Sequence, residues 1–123
     1  VREERLRTMA GLRGTPALAL SAWRGRSGRR YVVGIHELVA PEFAEVDEAV
    51  VIAVRRDGAG IAEPVSVAAT GRSPRERLHG NWLARARQKG ATEMHVHRLA
   101  EGEEERRAIV ADLALDADAT GDA

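Results

Sequence analysis

Residues 49–71, AVVIAVRRDGAGIAEPVSVAATG, decide how this chain is read. AVVIAVRR at 49–56 is dense enough in Val and Ile to be a buried strand. DGAG at 57–60 supplies a turn and EPVSVAAT at 63–70 returns as the strand's partner, which makes the stretch a β-hairpin. After Gly71 the period changes from 2 to 3.6. Ser73 stands as an N-cap, Pro74 at the first helical position, and Glu76 where a capping box closes on the Ser73 amide. A helix of about four turns is expected from Pro74 to Lys89, with Leu78, Trp82 and Ala86 as its buried stripe and Gly90 as its end.

Working outward, ALALSAWR, GRSG and RRYVVGIHEL read as an earlier hairpin, broken off by Pro41 in APEF. Residues 1–14, VREERLRTMAGLRG, are either a short helix with Leu6, Met9 and Leu12 on one side or a loose arm. Downstream, TEMHVHRL at 92–99 alternates as a strand does, with Met94 and Val96 on one face and His95 and His97 on the other. In EGEEERR, Glu103, Glu104 and Glu105 suit the positive end of a helix macrodipole, and Ile109, Val110 and Leu113 form that helix's apolar stripe. The expected fold is α+β: a small, mainly antiparallel sheet of about five strands, made of two hairpins and one further strand, flanked by helices. One domain over 15–115 is expected, between an arm at 1–14 and a disordered acidic tail at 116–123.

Composition narrows the function classes. Hydrophobic residues at 44% and charged residues at 31% place the chain among globular proteins. The only aromatic residues are Trp23, Tyr31, Phe43 and Trp82, too few for a platform that stacks single-stranded bases. The absence of cysteine excludes disulfides, thiolate metal sites and a cysteine nucleophile, and agrees with a cytoplasmic setting. No apolar run reaches the roughly 18 residues of a spanning helix, and the arginine-rich start has no secretion-signal core; no membrane is expected as a partner.

The formal charge is zero but is laid out in blocks. Residues 1–30 and 72–89 are basic, the second through Arg72, Arg75, Arg77, Arg85, Arg87 and Lys89; residues 31–71 and 93–123 are acidic. Such blocks either form a nucleic-acid face or satisfy one another, within the fold or across a dimer. For the helical arginines the plainest expectation is a solvated face paired with the acidic last helix.

The turn before the first helix is placed like a phosphate cradle. Yet G-x-S-P-x-E is neither a Walker loop nor a dinucleotide fingerprint, and Pro74 removes an amide donor. His95 and His97 are spaced as a metal-binding pair, with Glu93 on the same face and His79 or His36 as conceivable third ligands; packing against a helix is the competing account, and no cofactor is expected. No serine carries a triad signature, since Ser66 lies mid-strand.

The stretch from AVVIAV through PVSVAATGRSPRERLHG to ERRAIVADL resembles the GIY-YIG nuclease fold, in which a tyrosine-bearing hairpin precedes a helix with an arginine and a later helix with a glutamate. SGRRYVVGIHEL resembles the extra hairpin of small bacterial proteins with such a core, so the resemblance covers roughly residues 27–113. It puts the first tyrosine motif on Ala49, Val50 and Val51 and the second on Ser66, Val67 and Ala68, with neither tyrosine present. Thr70 and Gly71 match the family's strand-to-helix turn, Arg77 its catalytic arginine, and His79 lies near its helical histidine. Val110 falls where the metal-binding glutamate belongs, and Asp112, about 200° around the helix from it, is no substitute. The family's chemistry needs an activated water, a metal on the glutamate and an arginine facing the phosphate; without the phenols and the ligand, the resemblance implies a pseudo-nuclease. The expected role is a binding or assembly module for a protein partner or a second copy. The alternatives are a nucleic-acid binder using Arg72, Arg75, Arg77, Arg85 and Arg87, and a residual metal-dependent nuclease.

Overall fold

The computed structural model describes residues 1–5, 20–38, 46–72, 78 and 80–114. Six strands and two helices follow in the order β1 (Arg2–Arg5), β2 (Leu20–Arg24), β3 (Arg30–Glu37), β4 (Val50–Arg56), β5 (Ala62–Ala69), α1 (Gly80–Gln88), β6 (Glu93–His97) and α2 (Glu103–Leu113). The class is α+β, as expected, with six strands rather than about five.

The additional strand is β1. Where the sequence suggests a helix or an arm, Arg2–Arg5 pairs antiparallel with β2, placing Glu3 opposite Trp23. Period 2 wins because Glu3 points inward to a guanidinium, while Glu4 points outward to Arg24 and Arg30. Leu6, Met9 and Leu12, the tail at 116–123, and the capping residues Ser73, Pro74 and Glu76 lie outside the described residues.

All strand pairs are antiparallel, in the order β1-β2-β3-β6-β4-β5. Both expected hairpins are present, and β6 inserts between them, pairing Val96 with Gly34 on one side and Val51 on the other. Its central position explains why both of its faces are buried. Pro64 lies in β5, at the sheet edge, where its missing amide costs no ladder bond; beside it the register slips between Ala53 and Val54. The sheet curls until β1 approaches β5.

Each face carries its own core. The inner face sets Trp23, Tyr31, Val33, Val50, Ile52 and Val54 against Ile109 and Leu113 of α2. The outer face sets Val51, Met94 and Val96 against Leu83 of α1, with Ala53 against Ala86 beside them. Burying each such Val, Leu or Ile contributes about 1.5–3 kcal/mol. Within the expected stripe of α1, Ala86 is buried and Leu78 and Trp82 are half-buried; Leu83 completes it. The helix begins at Gly80, not at Pro74, and Leu78 precedes it; its end is the expected one, with the Ala91 amide donating to Ala86 O (3.0 Å) and the Gly90 amide to Arg87 O (2.9 Å). Gly90 has φ 92°, a left-handed value that favours glycine.

Candidate functional site

The inner face of the curled sheet contains a chain of charged and aromatic groups built from four strands. Val50, Ile52, Val54 and Arg56 follow at period 2 along β4, so the face that buries three aliphatics also carries a guanidinium. Arg56 meets Glu93 through Nε (2.8 Å) and Nη2 (2.9 Å), Glu3 through Nη1 and Nη2 (both 3.1 Å), and Gly60 O through Nη1 (2.9 Å). His95 lies 2.9 Å from Glu93 through Nε2, and Trp23 Nε1 donates to its Nδ1 at 2.8 Å.

These contacts fix the protonation. An indole N–H only donates, so His95 Nδ1 is the unprotonated acceptor and Nε2–H donates to Glu93. Burial, the largest effect, holds the His95 imidazole below its usual value, against the pull of Glu93 and Glu3. Hydrogen bonding from Arg56 brings Glu93 down to about 2, despite some burial. Burial raises Glu3, but the Arg56 and Ser21 hydrogen bonds and the Arg56 charge together leave it lowered. Arg56 itself is raised by the same two carboxylates.

At the other end of this face, Asp112 clasps α2 to the β2–β3 turn. It accepts from Ser27 N (2.7 Å), Ser27 Oγ (2.7 Å) and Tyr31 Oη (2.6 Å), while its own carbonyl accepts from Arg26 N (3.0 Å). A Cβ at Gly25 would lie 2.1 Å from Asp112 Oδ2, so the clasp requires glycine there. Burial pushes the Tyr31 phenol up and the Asp112 bond adds to it; on Asp112, the Tyr31 and Ser27 bonds overcome burial and lower it.

Of the residues expected to carry chemistry, Arg75, Arg77 and His79 lie outside the described residues. The others do not converge. Val51 and Ala68 pack in the outer core, and the register sets Ser66 opposite Ala53 on that same face. Val110 packs against the inner core, beyond the sheet. His95 and His97 do share the inner face, but both His95 nitrogens are engaged, and His97 Nδ1 donates to Val32 O at 2.7 Å. Among the described residues no three His, Asp or Glu side chains are grouped to hold a metal ion.

The arginines divide by side. Arg85 and Arg87 are exposed on α1, Arg87 reaching Leu38 O at 3.0 Å, and Arg72 is exposed 3.7 Å from Glu48. The acidic helix α2 is on the opposite face of the sheet from α1, and among the described residues Arg72, Arg85 and Arg87 make no pair with it; Glu103 pairs instead with Arg107 of its own helix, at 2.7 Å.

Reading the sequence missed Arg106, which is buried in α2 with Ile109 and Leu113. The signal was present, because 106, 109 and 113 follow at i, i+3 and i+7. Arg56 was legible likewise, two residues beyond Val54 on the buried face.

No protein-family model, curated protein or solved structure matches the chain. No helix among the described residues is long and apolar enough to cross a membrane.

Proposed function

We propose that this chain is a non-catalytic binding module, and that Arg72, Arg85 and Arg87 engage an acidic protein surface. The observation that carries the reading is the separation of Val51, Ser66 and Ala68 from Val110 by the thickness of the sheet, with Val51 and Val110 packed as core. Positions on opposite faces do not compose one metal-assisted site, whatever side chains they bear. Zero net charge favours a protein over a polyanion, because it supplies no long-range attraction to a phosphate backbone.

A nucleic-acid partner is the second reading. It is favoured by Arg85, which is exposed and has no ion-pair partner among the described residues. Affinity capture from the cell of origin, with the wild-type chain beside a variant carrying Arg72→Glu, Arg85→Glu and Arg87→Glu, separates the two. A protein held only by the wild type supports the first reading, and nucleic acid held only by the wild type supports the second. Identical captures contradict both. The non-catalytic part is tested by incubating supercoiled and single-stranded DNA with magnesium or manganese: intact DNA is expected, and turnover that vanishes in Arg77→Ala overturns it.

A further inference from the structure

Arg106 is 7% exposed and lies on the face of α2 that presses Ile109 and Leu113 onto the sheet. No acceptor among the described residues takes a hydrogen bond or an ion pair from its guanidinium. A guanidinium stays charged at every pH a protein survives, and a buried charge without a counter-charge is strongly destabilising. Among the described residues nothing is bonded to the Arg106 guanidinium, which leaves room for an anion from outside the chain.

That room lies beside it. A cavity of about 210 Å³ opens between the end of β5 and the first half of α2, lined by Ala69, Thr70, Gly71, Glu103, Arg106 and Arg107. Glu103, Arg106 and Arg107 stand at i, i+3 and i+4, on one helix face. Two of the polar neighbours are already engaged: Glu103 by Arg107 at 2.7 Å, and Thr70 Oγ1 by the Ala49 amide at 3.1 Å. The donors left over belong to Arg106 and to the rest of the Arg107 guanidinium.

We propose that this cavity binds a phosphate group, gripped in the fork of Arg106 with Arg107 at its edge. The planar fork matches the oxygen spacing of a phosphate, several acceptor oxygens meet several free donors, and the volume admits the group with part of its ester. The phosphate belongs either to a small phosphate ester or to the 5′ end of a nucleic acid. The site lies on the α2 side of the sheet and stands independently of the partner surface on α1.

The test titrates the protein with inorganic phosphate, using acetate as the control anion, and follows both the unfolding midpoint and the NMR signals of the Arg106 Nε–Hε group and the Gly71 amide. Phosphate is expected to raise the midpoint and to move both signals saturably, and acetate to do neither. Arg106→Met is expected to weaken phosphate binding roughly tenfold or more and, in anion-free buffer, to leave the midpoint unchanged or higher. An arginine that only packs would give a lower midpoint with or without phosphate. Glycerol 3-phosphate and a 5′-phosphorylated oligonucleotide beside its 5′-hydroxyl form then distinguish the two sources. Signals of Arg106 and Gly71 that stay fixed in the wild type, an equal response to acetate, or a phosphate response that survives in Arg106→Met overturns the proposal; the wild-type spectra decide the matter even if the variant does not fold.

Discussion

Arg56 and Arg106 are both drawn out of solvent on the inner side of the sheet, and they are accommodated in opposite ways. Arg56 gives its donors to two carboxylates and a carbonyl, and one of those carboxylates passes the interaction on to His95 and Trp23. Among the described residues Arg106 has no such partner, and it faces a cavity. A buried cation whose counter-charges come from the same chain is part of the fold, tying β1, β4 and β6 together. One with no counter-charge among the described residues, set against an open cavity, is where we place a ligand. The same residue type thus marks a structural site in one place and a ligand site in the other.

The largest effect that tests this contrast is on Arg56. Replacing it by methionine leaves Glu3 and Glu93 facing each other without a cation, and a loss of about 3–5 kcal/mol is expected in denaturant unfolding. Arg106→Met, the same chemical change, is expected not to destabilise. Equal losses at the two positions would erase the distinction.

Trp23→Phe comes next, at about 1–3 kcal/mol, because it removes the donor to His95 Nδ1 and leaves a buried acceptor unsatisfied. It also changes the response to acid. The folded value of His95 lies below its ordinary 6.5, so its contribution is complete above pH 6.5 and is lost as pH falls below it. Glu93, lowered from 4.5 to about 2, contributes fully above pH 4.5 and loses that contribution as pH falls toward 2. Wild-type stability should therefore fall in two stages on acidification. In Trp23→Phe the indole donor that favours the neutral imidazole is gone while burial remains, so the first stage is expected to shrink without disappearing and the second to stay as it is. Unfolding midpoints measured between pH 7 and pH 3 check this, and parallel profiles would contradict it.

Tyr31→Phe is the smallest of these changes, at about 1 kcal/mol, since Asp112 keeps both Ser27 donors. A loss as large as that of Arg56→Met would mean that the clasp at Asp112, rather than the Arg56 network, anchors the inner face.

Much of this fold was legible in the sequence. AVVIAVRR and EPVSVAAT, the earlier hairpin, the TEMHVHRL strand and the last helix all follow from period and turn residues, which are local signals. β1 was not legible, because REER has no apolar alternation; its inward residue is a glutamate, stabilised by an arginine more than fifty residues away. The central place of β6 was hidden for a related reason, since strand order is set by long-range pairing and not by local pattern. At the level of the site, the charge blocks drew attention to the helical arginines, yet the two arginines that matter most to the inner face stand inside apolar patterns at Val54–Arg56 and Arg106–Ile109. Charge density along a sequence points to surfaces, whereas a single charge in a buried period points to a site.

The most direct test is hydrogen exchange of the arginine Nε–H groups, resolved by NMR in a buffer free of phosphate and sulfate. The Arg56 proton, held by Glu93, is expected to exchange slowly; the Arg106 proton is expected to exchange faster and to slow when inorganic phosphate is added. Equal protection at the two positions before any anion is added would show that Arg106 already has a partner, and would contradict the account.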